Sequence, residues 1–254
     1  MSERNVVATI EARMGSTRFP GKTLCRLGRQ TLLEWTVNRL KMCRKINGII
    51  VATSVNPGDD PIASMCEKIH VPFFRGSEED VLSRVSGAVK RMNGDIVVQA
   101  GADCPFYDPL IIDQMIEIYR AKEVHYVCND LEEGYPIGVN LHVFSSKTLY
   151  EIEKKAVSPR DRENIVTFIW DHPEAFTMYH LSPPMELNRP DIRLTVDYPE
   201  DLEFLTKLIS GIDRDSFNTR DIIKYLEVNP HLLKINSHLK MKKGALPFTQ
   251  AKII

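Results

Sequence analysis

The sequence predicts an α/β protein whose mainly parallel sheet is covered by helices on both faces, a three-layer arrangement. Short runs rich in Val and Ile alternate with amphipathic stretches at helical spacing, which is typical of repeated strand–helix–strand units. The length of 254 residues exceeds the ~150 of an average domain but suits one large α/β domain. With 43% apolar and 26% charged residues, the composition excludes a disordered or fibrous chain.

Four strands and four helices are predicted in the first half of the chain. The strands are short, β-branched runs at Val6–Glu11, Gly48–Ser54, Val71–Phe74 and Asp95–Ala100. The helices lie between and after them, at Leu32–Met42, Pro61–Ile69, Asp80–Met92 and Leu110–Arg120. In the first helix Leu33, Val37 and Leu40 recur every three or four residues and form one apolar face.

The second half predicts strands in mixed order. These strands are Val124–Asn129, Gly138–Phe144, Phe176–Leu181 and the short Arg193–Val196. Helices are predicted at about Ser145–Val157, Arg160–Trp170 and Pro199–Ile209. The last of these begins with Pro and has Glu200 and Asp201 in its first turn, as helix N-termini prefer.

Residues 1–237 are predicted to form one domain, and residues 238–254 a flexible tail. The tail carries Lys240, Lys242 and Lys243 and has little periodicity.

The charge balance excludes several classes of partner. Lys plus Arg number 33 and Asp plus Glu 34, so the net charge of -1 provides no general attraction for nucleic acid or an anionic membrane. No segment approaches the about 20 consecutive apolar residues that a membrane-spanning helix needs, and the first residues do not resemble a secretory leader. We therefore expect a cytoplasmic protein. Five cysteines without a C-x-x-C pair are expected to be free thiols rather than zinc ligands or disulfides.

The loop after the first strand is the most informative segment. Between Arg13 and Lys22 it holds two Gly, two hydroxyl residues, two Arg and one Lys. Backbone amides and hydroxyls donate hydrogen bonds to phosphate oxygens while Arg and Lys neutralise charge, so this loop suits a polyphosphate. Its position also favours a site, because ligands of open α/β sheets bind at the carboxyl ends of strands. A solvated basic turn remains the alternative.

Two well-known nucleotide motifs do not match this loop. Five residues separate Gly15 from Gly21, whereas a P-loop has four between its glycines. The G-x-G-x-x-G motif of dinucleotide-binding proteins is also missing from this position.

Four ordered motifs resemble the sugar-acid cytidylyltransferases. Residues 12–22 resemble their A-R-x-G-S-T-R-[LF]-P-G-K signature, and residues 74–82 their F-R-G-S-E-x-D-V-L. Residues 103–109 resemble D-C-P-x-x-D-P, and residues 193–202 resemble R-x-T-V-D-x-P-E-D-L. The motifs cover residues 6 to about 205 and are most similar to the spore-coat polysaccharide branch, which is related to the KDO and acylneuraminate cytidylyltransferases.

The resemblance implies a nucleotide-diphospho-sugar transferase fold, which is Rossmann-like, and CTP as the nucleotide. Arg13 and Lys22 would neutralise the phosphates and the leaving pyrophosphate. The nucleotide-binding residues it implies are Ala12, Arg13, Gly15, Ser16, Arg18, Lys22, Arg75, Gly76, Ser77 and Gln99. Residues 75–77 would lie near the cytosine and ribose, while Gln99 is equally consistent with a buried structural amide.

The resemblance also implies a metal site. Asp103 and Asp197 would hold Mg²⁺ or Mn²⁺, each at the end of a predicted strand. Taken singly, Asp197 could instead cap the helix that begins near Pro199, and Asp103 could shape a turn before Pro105.

The acceptor region departs from the family pattern. Ala102 replaces a Gly that is common before the metal-binding Asp. Residues 137–142 and 162–164 stand where spore-coat relatives often have D-G-x-D-x-E and R-E-H, so three acids and one His are replaced. Since lost acids remove repulsion, we expect an anionic acceptor with a carboxylate or a phosphonate. In relatives the second half mediates pairing, so residues 124–190 are expected to form a subregion for the acceptor and for a homodimer.

The expected function is Mg²⁺-dependent transfer of CMP from CTP to an acidic sugar, such as a nonulosonate or a KDO-like acid, with release of pyrophosphate, for surface polysaccharide or glycoconjugate synthesis. Two alternatives remain open. A glycosyltransferase of the same fold normally carries a D-x-D motif, and here only Asp213-Arg214-Asp215 matches. A non-catalytic nucleotide-binding protein is the other alternative.

Overall fold

The computed structural model describes residues 4–132, 134–212 and 216–239. Nine strands are found in these ranges: β1 (Val6–Glu11), β2 (Arg26–Leu27), β3 (Gln30–Thr31), β4 (Gly48–Ser54), β5 (Phe73–Gly76), β6 (Ile96–Gly101), β7 (Tyr126–Cys128), β8 (His142–Ser145) and β9 (Met178–His180). The same ranges contain nine α-helices: α1 (Leu32–Lys41), α2 (Asp60–Lys68), α3 (Val81–Arg91), α4 (Pro109–Ala121), α5 (Ser146–Lys155), α6 (Pro159–Glu163), α7 (Ile165–Asp171), α8 (Pro199–Gly211) and α9 (Thr219–Val228).

Seven strands form the central sheet in the order β5-β4-β1-β6-β8-β7-β9, and β2 and β3 form a separate hairpin. Strands β5, β4, β1 and β6 are parallel. Strand β8 runs antiparallel to both of its neighbours, and β9 is parallel to β7. Since β8 alone reverses direction, the carboxyl ends of the six other strands meet along one edge of the sheet.

The two faces of the sheet carry separate apolar cores, which confirms the predicted three-layer α/β fold. One core contains Leu33 of α1, Ile62 of α2 and Ile112 of α4, together with Phe204 of α8. The opposite core is formed by the apolar faces of α3, α5 and α7 against Val7, Val97 and other residues of the sheet. In the described part of the chain, none of the helices has the length and apolar character needed to cross a membrane.

Several helices begin at the polar residue that their sequence provides. Thr31 and Glu34 form a reciprocal capping box at the start of α1. Asp80 accepts a hydrogen bond from the amide of Ser83 at the start of α3, and Asp108 accepts one from Leu110 at the start of α4. These caps fix the first residues of α1, α3 and α4.

Most predicted elements are confirmed. Strands β1 and β4 have the predicted bounds, and β5 begins two residues later than predicted. The predicted helix Arg160–Trp170 is divided into α6 and α7 at Asn164, whose backbone is extended. Helix α9 and the β2–β3 hairpin were not predicted.

The predicted strand Arg193–Val196 is wrong. It makes only a single bridge, between Ile137 and Arg193. The reason is that its other backbone groups bond to separate segments. The amide of Val196 donates to the backbone carbonyl of Asp103 at 2.8 Å, and the carbonyl of Arg193 accepts from the side chain of Asn236. The segment therefore crosses the edge of the sheet and links it to the C-terminal region.

Two predictions lie wholly or mostly outside the described residues. The motif Asp213-Arg214-Asp215 is one. Of the predicted flexible tail, residues 238–254, the structure describes only His238 and Leu239.

Candidate active site

A cavity of about 620 Å³ opens at the carboxyl ends of β1 and β6, a size within the range of small-molecule sites. The loop after β1 lines it with Ala12, Arg13, Ser16, Arg18 and Lys22. Asp103 enters from the segment after β6, and Asp197 and Tyr198 enter from the segment before α8. Helices α3 and α6 close the remaining side with Val81, Arg84 and Glu163.

The loop after β1 has a defined shape. The amide of Met14 donates to the carboxylate of Asp59 at 2.6 Å, and the hydroxyl of Thr23 donates to the carbonyl of Arg13 at 2.9 Å. Gly21 has φ +75° and donates its amide to the carbonyl of Met14. Because L side chains rarely adopt this conformation, glycine is required where the chain turns back before Lys22.

Lys22 lies at the centre of the site and is only 9% exposed. Its Nζ donates to Asp103 Oδ2 at 2.8 Å, to Asp197 Oδ1 at 2.9 Å and to the carbonyl of Val196 at 2.7 Å. Burial opposes the charge on this ammonium, but the two carboxylates outweigh it and raise the pKa of Lys22. The ammonium is therefore fully charged at neutral pH.

Asp197 is held by three cations. Its Oδ1 accepts from Arg18 Nη2 at 2.7 Å as well as from Lys22, and its Oδ2 accepts from Arg193 Nη2 at 2.8 Å. Burial alone would raise the pKa of Asp197, but these cations hold its pKa below the ordinary value. The carboxylate is therefore ionised and fixed in orientation.

Arg193 and Asp201 form a buried pair behind Asp197. Arg193 Nε donates to Asp201 Oδ1 at 2.8 Å, and Asp201 Oδ2 accepts the amides of Asp197 and Tyr198 at 2.9 and 3.0 Å. Asp201, and not Asp197, thus bonds to the amides at the start of α8. The carboxylate of Asp197 points to the cations of the cavity instead.

The donor set fits a divalent cation. The carboxylates of Asp103 and Asp197 both lie within 2.9 Å of the single Nζ of Lys22, so this geometry already brings two carboxylates together around a positive charge. Mg²⁺ commonly takes one or two carboxylates and completes its shell with phosphate oxygens and water. In the described ranges no group of three or more His, Cys, Asp or Glu side chains is arranged around a metal position.

The lining of the cavity also includes a carboxylate and two further guanidinium groups. Glu11 Oε1 accepts from Gln99 Nε2 at 2.6 Å, and burial raises the pKa of Glu11. Arg84 is 2% exposed and is held by the carbonyl oxygens of Ser77 and Glu78, while its Nε has no hydrogen-bond partner. The positive charge of Arg13 lies close enough to lower the pKa of both Glu11 and Arg84.

The remaining predicted residues lie beside the cavity. Arg75 bonds to the carbonyl oxygens of Ser54 and Asn56 and forms an ion pair with Asp60. Gly76 lets α3 approach, since a Cβ there would lie 3.1 Å from the Cα of Arg84. Ser77 and Gly76 therefore position Arg84, and Arg75 anchors the strand that carries them. Gly15 lies within the loop after β1, where a Cβ would lie 3.4 Å from Glu78 Oε1.

Among the residues of this site that the sequence did not predict are four charged ones and one aromatic one: Glu11, Arg84, Glu163, Arg193 and Tyr198. A signal existed for Glu11, which ends a buried strand, and for Arg193, which opens one of the four motifs. The pattern around Arg84 gave no signal, because a single Arg in an amphipathic helix is usually exposed.

Comparisons with known proteins agree with this geometry. The family model described as cytidylyltransferase matches residues 7–229. An uncharacterized protein of Methanocaldococcus jannaschii is 34% identical over 93% of this chain and 96% of its own length. The spore coat polysaccharide biosynthesis protein SpsF of Bacillus subtilis is 30% identical over 89% of this chain and 95% of its own length.

A partial match and two solved structures extend the comparison. The 3-deoxy-manno-octulosonate cytidylyltransferase of Bdellovibrio bacteriovorus is 32% identical over 45% of each chain. The structure of a cytidylyltransferase from Leptospira borgpetersenii has a TM-score of 0.87 and 29% identity, and the match covers 94% of this chain and all of that one. A CMP:2-keto-3-deoxy-manno-octonic acid synthetase complexed with CTP has a TM-score of 0.61 over 82% of this chain and 99% of that one, and at 14% identity it supports the fold alone.

Proposed function

Because this chain belongs to the cytidylyltransferase family, a family of nucleotidyltransferases, we propose that it transfers CMP from CTP to an acidic sugar and releases pyrophosphate. The observation that carries the proposal is the position of Lys22. It belongs to the basic loop after β1 and forms ion pairs with both Asp103 and Asp197. This arrangement provides both the positive charge that a triphosphate needs and the carboxylates that accompany a divalent cation.

The chain's own residues would act mainly by position and charge. Arg13, Arg18 and Lys22 would contact the phosphates, and the hydroxyl of Ser16 would donate to a phosphate oxygen. An acceptor hydroxyl oxygen would attack the α-phosphorus while the bond to the leaving pyrophosphate breaks, and the hydroxyl proton would pass to solvent. Lys22 would oppose the negative charge that develops on the leaving group.

Asp103 and Asp197 would hold Mg²⁺, which when bound supplies charge neutralisation at the phosphates. Arg193 donates to Asp197 Oδ2, whereas Arg18 and Lys22 donate to Oδ1, so Arg193 would keep this carboxylate oriented when the other two cations bind a nucleotide. When nucleotide binds, Lys22 and Arg18 have phosphate oxygens available as new partners. Lys22 and Mg²⁺ would both bind the carboxylates of Asp103 and Asp197. Once Lys22 contacts phosphate oxygens instead, these carboxylates would be available to the metal.

The acceptor class rests on charge and on relatives. Besides the cations assigned to the phosphates, the buried Arg84 places positive charge in the cavity, where a carboxylate of the acceptor would be favoured. Two relatives are named for spore coat polysaccharide biosynthesis and for 3-deoxy-manno-octulosonate. An acidic sugar destined for a surface polysaccharide or glycoconjugate fits both observations. A homodimer through residues 124–190 is part of the same proposal.

The test is pyrophosphate release from each of the four ribonucleoside triphosphates, with and without Mg²⁺. The acceptors are 3-deoxy-manno-octulosonate, N-acetylneuraminate and a phosphonate. We expect release with CTP, Mg²⁺ and a sugar acid, loss of release with EDTA, and restoration by Mg²⁺ or Mn²⁺.

Asp103→Asn provides the second arm of this test. Since the amide cannot neutralise a cation, we expect turnover to fall about 100-fold or more while calorimetric binding of CTP persists. Binding of CTP without turnover in the unsubstituted protein, across the whole acceptor panel, would instead favour a non-catalytic nucleotide-binding role.

A further inference from the structure

A row of polar side chains crosses the sheet next to the cavity. Strand register pairs Gln99 of β6 with His142 of β8, His142 with Cys128 of β7, and Cys128 with His180 of β9. Residues directly opposite one another on neighbouring strands point to the same face. These four side chains, the polar row, therefore lie side by side on the face covered by α3, α5 and α7.

The polar row lies along the edge of the sheet that holds the nucleotide site. His142 begins the antiparallel β8, while Cys128 and His180 end β7 and β9. All three therefore lie at the same edge as Asp103, which follows the carboxyl end of β6. In open α/β sheets this edge is where ligands bind.

Buried polar atoms of the row and of its neighbour Asp130 have no hydrogen-bond partner. His180 is 8% exposed, and neither of its ring nitrogens makes a hydrogen bond. The same is true of Gln99 Oε1 and Asp130 Oδ1. Buried polar groups are nearly always paired, so a cluster of unpaired ones calls for an explanation such as a ligand.

The polar row adjoins the cavity through Gln99. Gln99 Nε2 donates to Glu11 Oε1 at 2.6 Å, and Glu11 lines the cavity. Among the helices that cover this face, α6 ends at Glu163, which lines the same cavity, and α7 begins at Ile165. Trp170 of α7 contacts the ring of His142 edge to face, with the ring centroids 6.4 Å apart.

The chemistry of the row suits hydroxyl groups. His142 lies against the ring of Tyr126 and bonds to its hydroxyl at 2.5 Å, and its Nε2 lies 3.6 Å from Asp130 Oδ2. Amide and imidazole groups can both donate to and accept from sugar hydroxyls, and a carboxylate accepts from them.

The charge of the row does not suit the acceptor's carboxylate. Burial lowers the pKa of His180, so this ring is neutral at pH 7, and the charged groups that act on it are the carboxylates of Glu132 and Asp130. A second anion would be repelled there.

We propose that Gln99, His142, His180 and Asp130 form the subsite for the hydroxyl-bearing chain of the acceptor, beside the triphosphate site. This inference rests on the proposed function and deepens it. The carboxylate of the acceptor lies toward Arg84, and the polyol chain extends under α7 along the polar row. The row is therefore the part of the molecule that distinguishes one sugar acid from another.

Histidine ring resonances of the unsubstituted, ¹⁵N-histidine-labelled protein test the inference directly. We expect 3-deoxy-manno-octulosonate or N-acetylneuraminate, added with CMP, to shift the ring signals of His142 and His180. The signals of His125 and His172 serve as internal controls. Pyruvate, which has the α-keto carboxylate but no polyol chain, is expected to leave all four signals unchanged.

Two results would overturn the inference: unchanged His142 and His180 signals with both sugar acids, or equal shifts with pyruvate. Neither readout needs turnover. A failure of the proposed function, seen as no pyrophosphate release with CTP, is therefore distinguishable from a failure of the subsite.

His180→Phe and Asp130→Asn provide a kinetic test. We expect the KM for the sugar acid to rise about tenfold or more and the KM for CTP to stay within about twofold, since each variant removes hydrogen bonds to the acceptor alone. Thr53→Val is the matched control, because it also deletes a buried polar atom without a partner, but on β4 away from the row. An unchanged acceptor KM in correctly folded variants would contradict the subsite.

Discussion

Three residues distant in sequence meet at the centre of the cavity. Lys22 is 81 positions from Asp103 and 175 from Asp197, yet its ammonium bonds to both carboxylates. A buried ion pair is stabilising only when its geometry is good and its remaining polar atoms are satisfied. Here Arg18 and Arg193 provide that satisfaction for Asp197. The local charges are therefore fixed before any ligand arrives.

Lys22→Ala tests this arrangement. Without the ammonium, the carboxylates of Asp103 and Asp197 lose their shared counterion, and the leaving pyrophosphate loses a stabilising charge. We expect kcat for pyrophosphate release to fall about 100- to 1,000-fold. Lys68→Ala, at an exposed position of α2, is the control and should retain normal rates. Equal losses in the two variants, with both folded by circular dichroism, would argue against the role of Lys22.

At the scale of elements, the segment before α8 fixes the position of Asp197. It passes over Gly138, which has φ +100° and lies so close that a Cβ there would be 2.6 Å from the amide nitrogen of Thr195. The amide of Leu194 donates to the carbonyl of Ile137 at 2.6 Å. Residues 137 and 138 and the segment that carries Asp197 are thus in direct backbone contact.

Gly138→Ala should displace this contact. Both the left-handed backbone and the close approach oppose a methyl group, so we expect a loss of about 1–3 kcal/mol in the free energy of unfolding and a lower kcat. Urea denaturation and pyrophosphate release measure the two effects. Gly58→Ala is the control, since Gly58 is exposed and a Cβ there would meet only the side chain of Asn56. A stable and fully active Gly138→Ala would show that the contact does not position Asp197.

At the scale of the whole molecule, residues 124–190, through which pairing is proposed, carry an exposed apolar side chain. Met185 is 92% exposed and lies shortly after β9. An exposed apolar side chain favours association. In a symmetric homodimer the same residue of both protomers would be buried at the interface.

Met185→Asp tests the proposed homodimer. A charge at a symmetric interface is either repelled by the same charge of the partner protomer or loses its hydration. We therefore expect the variant to be monomeric at concentrations at which the unsubstituted chain is dimeric. Light scattering coupled to size-exclusion chromatography gives the mass. Val228→Asp, at an exposed position outside the subregion, should leave the mass unchanged. A monomeric unsubstituted chain would refute the dimer.

The sequence by itself determined the alternation of strands and helices and the loop that follows β1. Val6–Glu11 and Gly48–Ser54 were predicted to the residue, because buried parallel strands are continuous apolar runs bounded by polar loops. The segment Arg193–Val196 has the same apolar character, but it bonds to three separate parts of the chain and is not a strand. Periodicity reports only which side chains are buried, not which backbone groups they bring together.

Tertiary structure alone decided which charged side chains meet. Arg84 is 2% exposed because Gly76 allows α3 to approach and because the carbonyl oxygens of residues 77 and 78 accept its hydrogen bonds. The polar row likewise exists only because the reversed β8 inserts His142 between β6 and β7. Local sequence patterns act over a few residues, whereas burial of a charge depends on partners that the folded sheet brings from distant positions.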